Sequence, residues 1–128
     1  MTGNNCLLDT SIVLHVFKQN KQIAARLNTF TEVFIPLIVI GELYYGAYAS
    51  ADPERHIQQT NEFLLNCKIT HFDTVTSTTY GKIKAELKRK GRPIPENDIW
   101  IAASAIQYDL PLFSTDAHFA AIDGLIRL

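Results

Sequence analysis

Short apolar runs alternate along this chain with longer segments of helical period, and no hairpin signal such as Asn-Gly joins two of the runs. Strands that cannot close as hairpins must be linked by crossovers. The alternation therefore predicts an α/β fold with a mainly parallel sheet and helices on both of its faces. In such sheets ligands bind outside the carboxyl ends of the strands, which says where chemistry should be sought.

The runs and segments can be read in order. Asn5-Cys6-Leu7-Leu8 predicts a buried strand, and Asp9-Thr10-Ser11 a helix start. Ile12, Val16, Ile23, Leu27 and Phe30 keep helical spacing, with a break at Lys18-Gln19-Asn20. Val33-Phe34-Ile35 predicts a second strand closed by Pro36, followed by a helix over 37–49. Asp52-Pro53-Glu54 supplies a cap, a first-turn proline and a first-turn acid for a helix reaching about residue 65. The third strand is expected over 68–72, and Thr76, Tyr80, Ile83 and Leu87 form one face of the next helix. Lys88, Arg89 and Lys90 suit that helix's negative end, and Gly91 with Pro93 stops it. Pro95-Glu96 opens a helix whose Ile99, Ala103 and Ile106 share a face. Pro111-Leu112-Phe113 predicts a fourth strand, with a short helix around Phe119 and a terminal strand at Leu125-Ile126-Arg127.

Other classes of protein are excluded by simple arithmetic. At 128 residues a single domain spanning 1–128 is expected, and 47% hydrophobic content supports an ordinary core. Twelve Lys and Arg against thirteen Asp and Glu leave a formal charge of −1, so a uniformly basic nucleic-acid glue is not expected. The longest apolar stretch, residues 33–41, is bracketed by Glu32 and Glu42 and falls far short of the ~20 residues of a membrane span. Met1-Thr2-Gly3-Asn4-Asn5 carries no cation and does not read as an export signal. Cys6 and Cys67 form no CxxC pair, which fits buried, inert thiols in a cytoplasmic setting.

Four carboxylates fall where that topology would gather them. Asp9 follows the first strand and Asp116 the fourth; Glu42 lies in the helix leaving the second, and Asp98 opens the helix after Pro95. Each has a plainer reading: a cap for Asp9, a dipole partner for Asp98, a turn residue for Asp116. Glu42 is harder to dismiss, because Ile38, Val39, Tyr45 and Gly46 around it do not make a solvated face. Converging carboxylates repel, and a cation resolves the repulsion. Oxygen donors favour Mg²⁺, with Mn²⁺ as its substitute, over zinc. His15, His56, His71 and His118 show no HxxxH or comparable ligand spacing. Carboxylate-held Mg²⁺ is common apparatus for phosphodiester hydrolysis.

Leu7-Leu8-Asp9-Thr10-Ser11, Pro36-Leu37-Ile38-Val39-Ile40-Gly41-Glu42-Leu43, Asn97-Asp98-Ile99-Trp100-Ile101-Ala102-Ala103 and Thr115-Asp116-Ala117-His118-Phe119 occur in this order. Together they resemble the successive motifs of the PIN-domain ribonucleases, most closely the VapC toxins of toxin–antitoxin pairs. The resemblance covers essentially the whole chain. It implies a three-layer α/β/α fold and a Mg²⁺-dependent endoribonuclease with Asp9, Glu42, Asp98 and Asp116 as catalytic metal ligands. Thr10, Ser11, Asn97 and Thr115 would support them. One departure is that Thr115 and Asp116 are adjacent, where many relatives place a basic residue between them. The implied partners are an RNA substrate, a cognate antitoxin and a second copy of the chain.

Six cations crowd into residues 82–92, and Lys84, Lys88, Arg89, Lys90 and Arg92 are the candidates for RNA phosphate contacts. The plainer alternative is a solvated helix face. Tyr44, Tyr45, Tyr48 and Trp100 are expected in the core, while Gly41 and Gly46 suggest close approach of another backbone. Asp52, Asp73, Asp109 and Asp123 read as caps and turns. The competing functional reading is a non-catalytic, partner-binding or regulatory scaffold of the same fold whose acids hold a structural ion. A phosphate-handling receiver is disfavoured, since Asp9-Thr10-Ser11 lacks a second nearby aspartate.

Overall fold

The computed structural model describes residues 4–128, so the reading of Met1, Thr2 and Gly3 lies outside the described residues. Four strands, β1 (Asn5–Leu8), β2 (Glu32–Pro36), β3 (Lys68–Thr70) and β4 (Leu112–Phe113), form one sheet in the order β3-β2-β1-β4. Every pairing is parallel. Six helices connect them: α1 (Thr10–Phe17), α2 (Lys21–Leu27), α3 (Leu37–Tyr48), α4 (Pro53–Leu64), α5 (Thr74–Lys90) and α6 (Glu96–Gln107). The chain steps outward from β1 to β3, then crosses back to lay β4 on the other side of β1. Right-handed crossovers put α1–α4 on one face and α5–α6 on the other, an α/β/α sandwich. The reversal of direction at β1 and β4 opens a crevice at their carboxyl ends.

Local chemistry explains most boundaries. Gln19 takes a left-handed φ of 62° between α1 and α2, and Asn20 caps α2 by accepting from Ile23 N–H at 3.1 Å. Asp73 and Thr76 close a capping box on α5. At its other end Gly91, with φ 67°, terminates the helix after three basic residues. Helix α6 is buried on nearly every side, through Ile99, Ile101, Ala102, Ala103, Ser104 and Ala105. Its small residues let it lie in the core, and the Ser104 hydroxyl meets that of Thr70 at 2.8 Å. On the sheet itself Cys6, Leu7 and Leu8 are fully buried.

Three expectations differ from what is found. Phe30 lies beyond α2, in a turn where its N–H reaches the Leu27 carbonyl, and its ring packs on Phe113 at 5.7 Å. Strand β3 stops at Thr70 rather than at residue 72, because Thr70 pairs with Pro36, after which β2 has already turned into α3. The terminal strand reduces to one parallel bridge between Arg127 and Leu112. A partner strand only two residues long offers no more. The short helix expected around Phe119 is present as a 3₁₀ helix, Ala117–Ala121.

Candidate metal centre

Asp9 follows β1 directly and is only 3% exposed. It caps α1, accepting from Ile12 N–H at 3.2 Å, as its plainer reading expects, and is also the hub of a hydroxyl network. Ser11 donates to its Oδ1 at 2.7 Å, and Ser114, one residue past β4, donates to its Oδ2 at 2.5 Å. The Ser114 oxygen accepts from Asp116 N–H at 2.9 Å, and the Ser11 oxygen from Thr115 N–H at 3.2 Å. Two serines thus tie the end of β1 to the end of β4 and set Asp9 and Asp116 at one place. Thr115 contributes through its backbone.

Asp98 arrives from the first turn of α6. His118 bridges it to Asp116, with Nδ1 at 3.1 Å from Asp98 Oδ2 and 3.0 Å from Asp116 Oδ1. The His118 backbone N–H also donates to Asp116 Oδ1, at 2.9 Å. Glu42, in the second turn of α3, is held on both oxygens: Thr10 donates to Oε1 at 2.6 Å and Asn97 to Oε2 at 3.2 Å. Thr10 and Asn97 are the sequence neighbours of Asp9 and Asp98, so Glu42 joins the others through them.

The electrostatics record the crowding. Burial pushes the Asp9 carboxyl up, with the Asp116 charge adding to it, against the hydrogen bonds of Ser114, Ser11 and Ile12. Burial likewise raises Asp98 to about 6, reinforced by the Asp116 and Asp9 charges and opposed by His118. Three acids therefore share one field, and a cation among them would relieve it. Among the described residues, donor atoms of Asp98, Asp116 and His118 lie within 4.8 Å of one another, a spacing that fits a metal ion. Carboxylate oxygens and an imidazole nitrogen are suitable donors for a divalent cation of the first row or for Mg²⁺.

Sequence reasoning missed Ser114 and His118. A search for paired histidines overlooks one that reaches two acids through a 3₁₀ turn. The aspartate two residues before His118 was the available signal.

The basic residues are divided. Antiparallel packing, in which Gln107 donates to Asp73 and Glu96 meets Lys84, brings the basic end of α5 beside the Asp98 end of α6. Lys84 pairs with Glu96, Arg89 with Glu86, and Lys90 with Asp123. Lys88 and Arg92 have no ion pair among the described residues. Trp100 is stacked between Phe72 and Tyr80, with ring centroids 5.4 and 4.0 Å away, and cements α5 to α6 as expected of a packing residue. Tyr45 and Tyr48 are corrected: they are 76% and 67% exposed on the outer face of α3. Gly41 and Gly46 also open onto free space, with nothing within 4 Å of an added Cβ. A groove of about 570 Å³ with mixed polar and apolar walls lies at the amino ends of β2 and β3, away from the acids.

The chain is similar to known proteins over most of its length. The PIN domain family profile matches residues 6–125. Ribonuclease VapC2 of Haemophilus influenzae is 39% identical over 112 residues, spanning 86% of this chain and 85% of that protein. The tRNA(fMet)-specific endonuclease VapC of Salmonella typhimurium is 35% identical, spanning 93% and 92%. The crystal structure of VapBC2 from Rickettsia felis, bound to a promoter DNA fragment, contains a chain superposing with a TM-score of 0.92. That chain is 27% identical, with 97% of each chain covered.

Proposed function

The chain belongs to the PIN domain family, and on that footing we propose that it is a divalent-cation-dependent endoribonuclease, the toxin of a toxin–antitoxin pair. The observation that carries this reading is the grouping of Asp98, Asp116 and His118 donors within 4.8 Å of one another, with Asp9 joined to Asp116 through Ser114 and Glu42 joined through Thr10 and Asn97. Relatives named as a ribonuclease and as a tRNA-specific endonuclease support RNA as the substrate class. The VapBC neighbour supports an antitoxin as the partner.

In this reading Asp9, Glu42, Asp98 and Asp116 hold Mg²⁺, or Mn²⁺ in its place. A bound cation would lower the pKa of a water so that its deprotonated form is available as the nucleophile toward phosphorus, and would supply charge to balance the phosphate. The protein's own groups prepare the site. Ser11 and Ser114 occupy both Asp9 oxygens and fix the plane of its carboxylate. Thr10 and Asn97 do the same for Glu42. Lys88 and Arg92, without an ion pair among the described residues, draw RNA phosphates toward the acids, with Lys84, Arg89 and Lys90 joining once their surface ion pairs exchange.

Control follows from the same charges. An antitoxin that buries apolar groups on the exposed Tyr45 and Tyr48 and places an Arg or Lys among the acids would displace the cation. A cytoplasmic location and self-association into a dimer complete the proposal. No helix among the described residues is long and apolar enough to cross a membrane. The test is cleavage of cellular RNA by the purified chain with Mg²⁺, after EDTA, and after Mg²⁺ is restored. Loss and recovery are expected, and undiminished cleavage in EDTA would overturn the reading.

A further inference from the structure

We propose that His118 is itself a ligand of the cation site, through Nδ1, and that the site therefore prefers Mn²⁺ to Mg²⁺ more strongly than carboxylates alone would. This rests on the cation-site reading above and adds to it a nitrogen donor and a metal preference.

The placement of the ring carries the argument. Nδ1 is 3.0 Å from Asp116 Oδ1 and 3.1 Å from Asp98 Oδ2. Neighbouring ligands of an octahedral ion with bonds of about 2.1 Å are separated by about 3.0 Å. The nitrogen and each oxygen thus already stand at the spacing of adjacent ligands. Two constraints hold the ring there. The His118 backbone N–H is bonded to Asp116 Oδ1, and the residue lies in the first turn of Ala117–Ala121, anchored by the buried Phe119. The other nitrogen, Nε2, has no protein partner among the described residues, and the side chain is 52% exposed. Without a cation Nδ1 serves the two carboxylates as hydrogen-bond partner. A cation entering among the three donors would displace the proton from Nδ1 and leave the ring proton on Nε2 with water as its acceptor, the tautomer that ligation requires.

The choice of metal follows from donor chemistry. Mg²⁺ favours oxygen and gives up water reluctantly, whereas imidazole binds first-row transition ions well. One nitrogen in an otherwise oxygen set shifts preference from Mg²⁺ toward first-row ions, among which Mn²⁺ is the one best suited to the carboxylates and water that make up the rest of the set.

The test uses the full chain without RNA and reads binding directly. Mn²⁺ is titrated into wild type, His118→Ala and Asp98→Asn, Mg²⁺ is assayed by competition, and the bound Mn²⁺ is examined by electron spin-echo envelope modulation. Expected are a directly bound ¹⁴N signal in wild type, its loss in His118→Ala, and a fall in Mn²⁺ affinity of roughly tenfold or more. Mg²⁺ affinity should fall less. Mn²⁺ bound by wild type without a nitrogen signal would overturn the role of His118 and leave the acidic site standing. A nitrogen signal that persists in His118→Ala would overturn it equally. No Mn²⁺ binding by wild type would overturn both the inference and the cation site. The wild-type spectrum does not depend on whether a variant folds.

Discussion

Asp98 is held by opposing influences, and its titration gives a residue-scale prediction. Its carboxyl is raised from 3.8 to about 6, mainly by burial and then by Asp116. The folded chain therefore keeps a proton that the unfolded chain has lost. The stability this adds is complete below the unfolded value of 3.8 and disappears as pH rises through about 6. Asp9 is shifted in the same direction. In EDTA, urea melts of wild type should show stability falling between pH 4 and 7, and Asp98→Asn should reduce that fall. An equal fall in the variant would remove Asp98 as its source. Ser114 provides a second prediction. Ser114→Ala strips a donor from buried Asp9 and an acceptor from Asp116 N–H, so a loss of about 1–3 kcal/mol is expected by denaturant titration. Stability unchanged by this substitution would mean the network is not holding the two strand ends. The acids were legible in the sequence because strand ends and helix starts are marked by hydrophobic period. Ser114 and His118 were not, because their roles depend on how β4 and a 3₁₀ turn bend toward β1.

At the level of elements, helix α5 joins packing to function. Its buried face, Thr76, Ile83 and Leu87, was readable from spacing, and so was its stop at Gly91. The pairing of its cations was not, since Glu96 and Asp123 reach them from outside the helix. Gly91→Ala forces a Cβ into the left-handed region at φ 67° and should cost about 1–2 kcal/mol, measured as a lower melting midpoint. No shift would mean that the helix end relaxes freely. Binding of RNA by the Asp98→Asn chain across a salt series tests the basic end. Lys88→Ala and Arg92→Ala should each reduce the slope of log affinity against log salt by roughly 0.7–0.9. Unchanged slopes would return these residues to a solvated face. Helix α3 shows the limit of pattern reading. An apolar, tyrosine-rich stretch looks like core from sequence, yet Tyr45 and Tyr48 project outward, and only the sheet's position decides which side is buried.

Across the whole molecule, the order β3-β2-β1-β4 gives the acids a common address. The expectation of a parallel sheet is met, and the acids stand at its carboxyl edge because the chain reverses direction at β1. The expected terminal strand is reduced to a single bridge, since two residues of β4 cannot template a further strand. The same address predicts competition: if the antitoxin neutralises the acids, Mg²⁺ and Asp9→Asn should each weaken its binding, and affinity indifferent to both would place inhibition elsewhere. The most direct test of the central claim is the initial rate of RNA cleavage in Mg²⁺ by Asp9→Asn, Glu42→Gln, Asp98→Asn and Asp116→Asn, each verified as folded. The account predicts a loss of at least about a hundredfold in every one. Wild-type rates in Asp98→Asn or Asp116→Asn would contradict it.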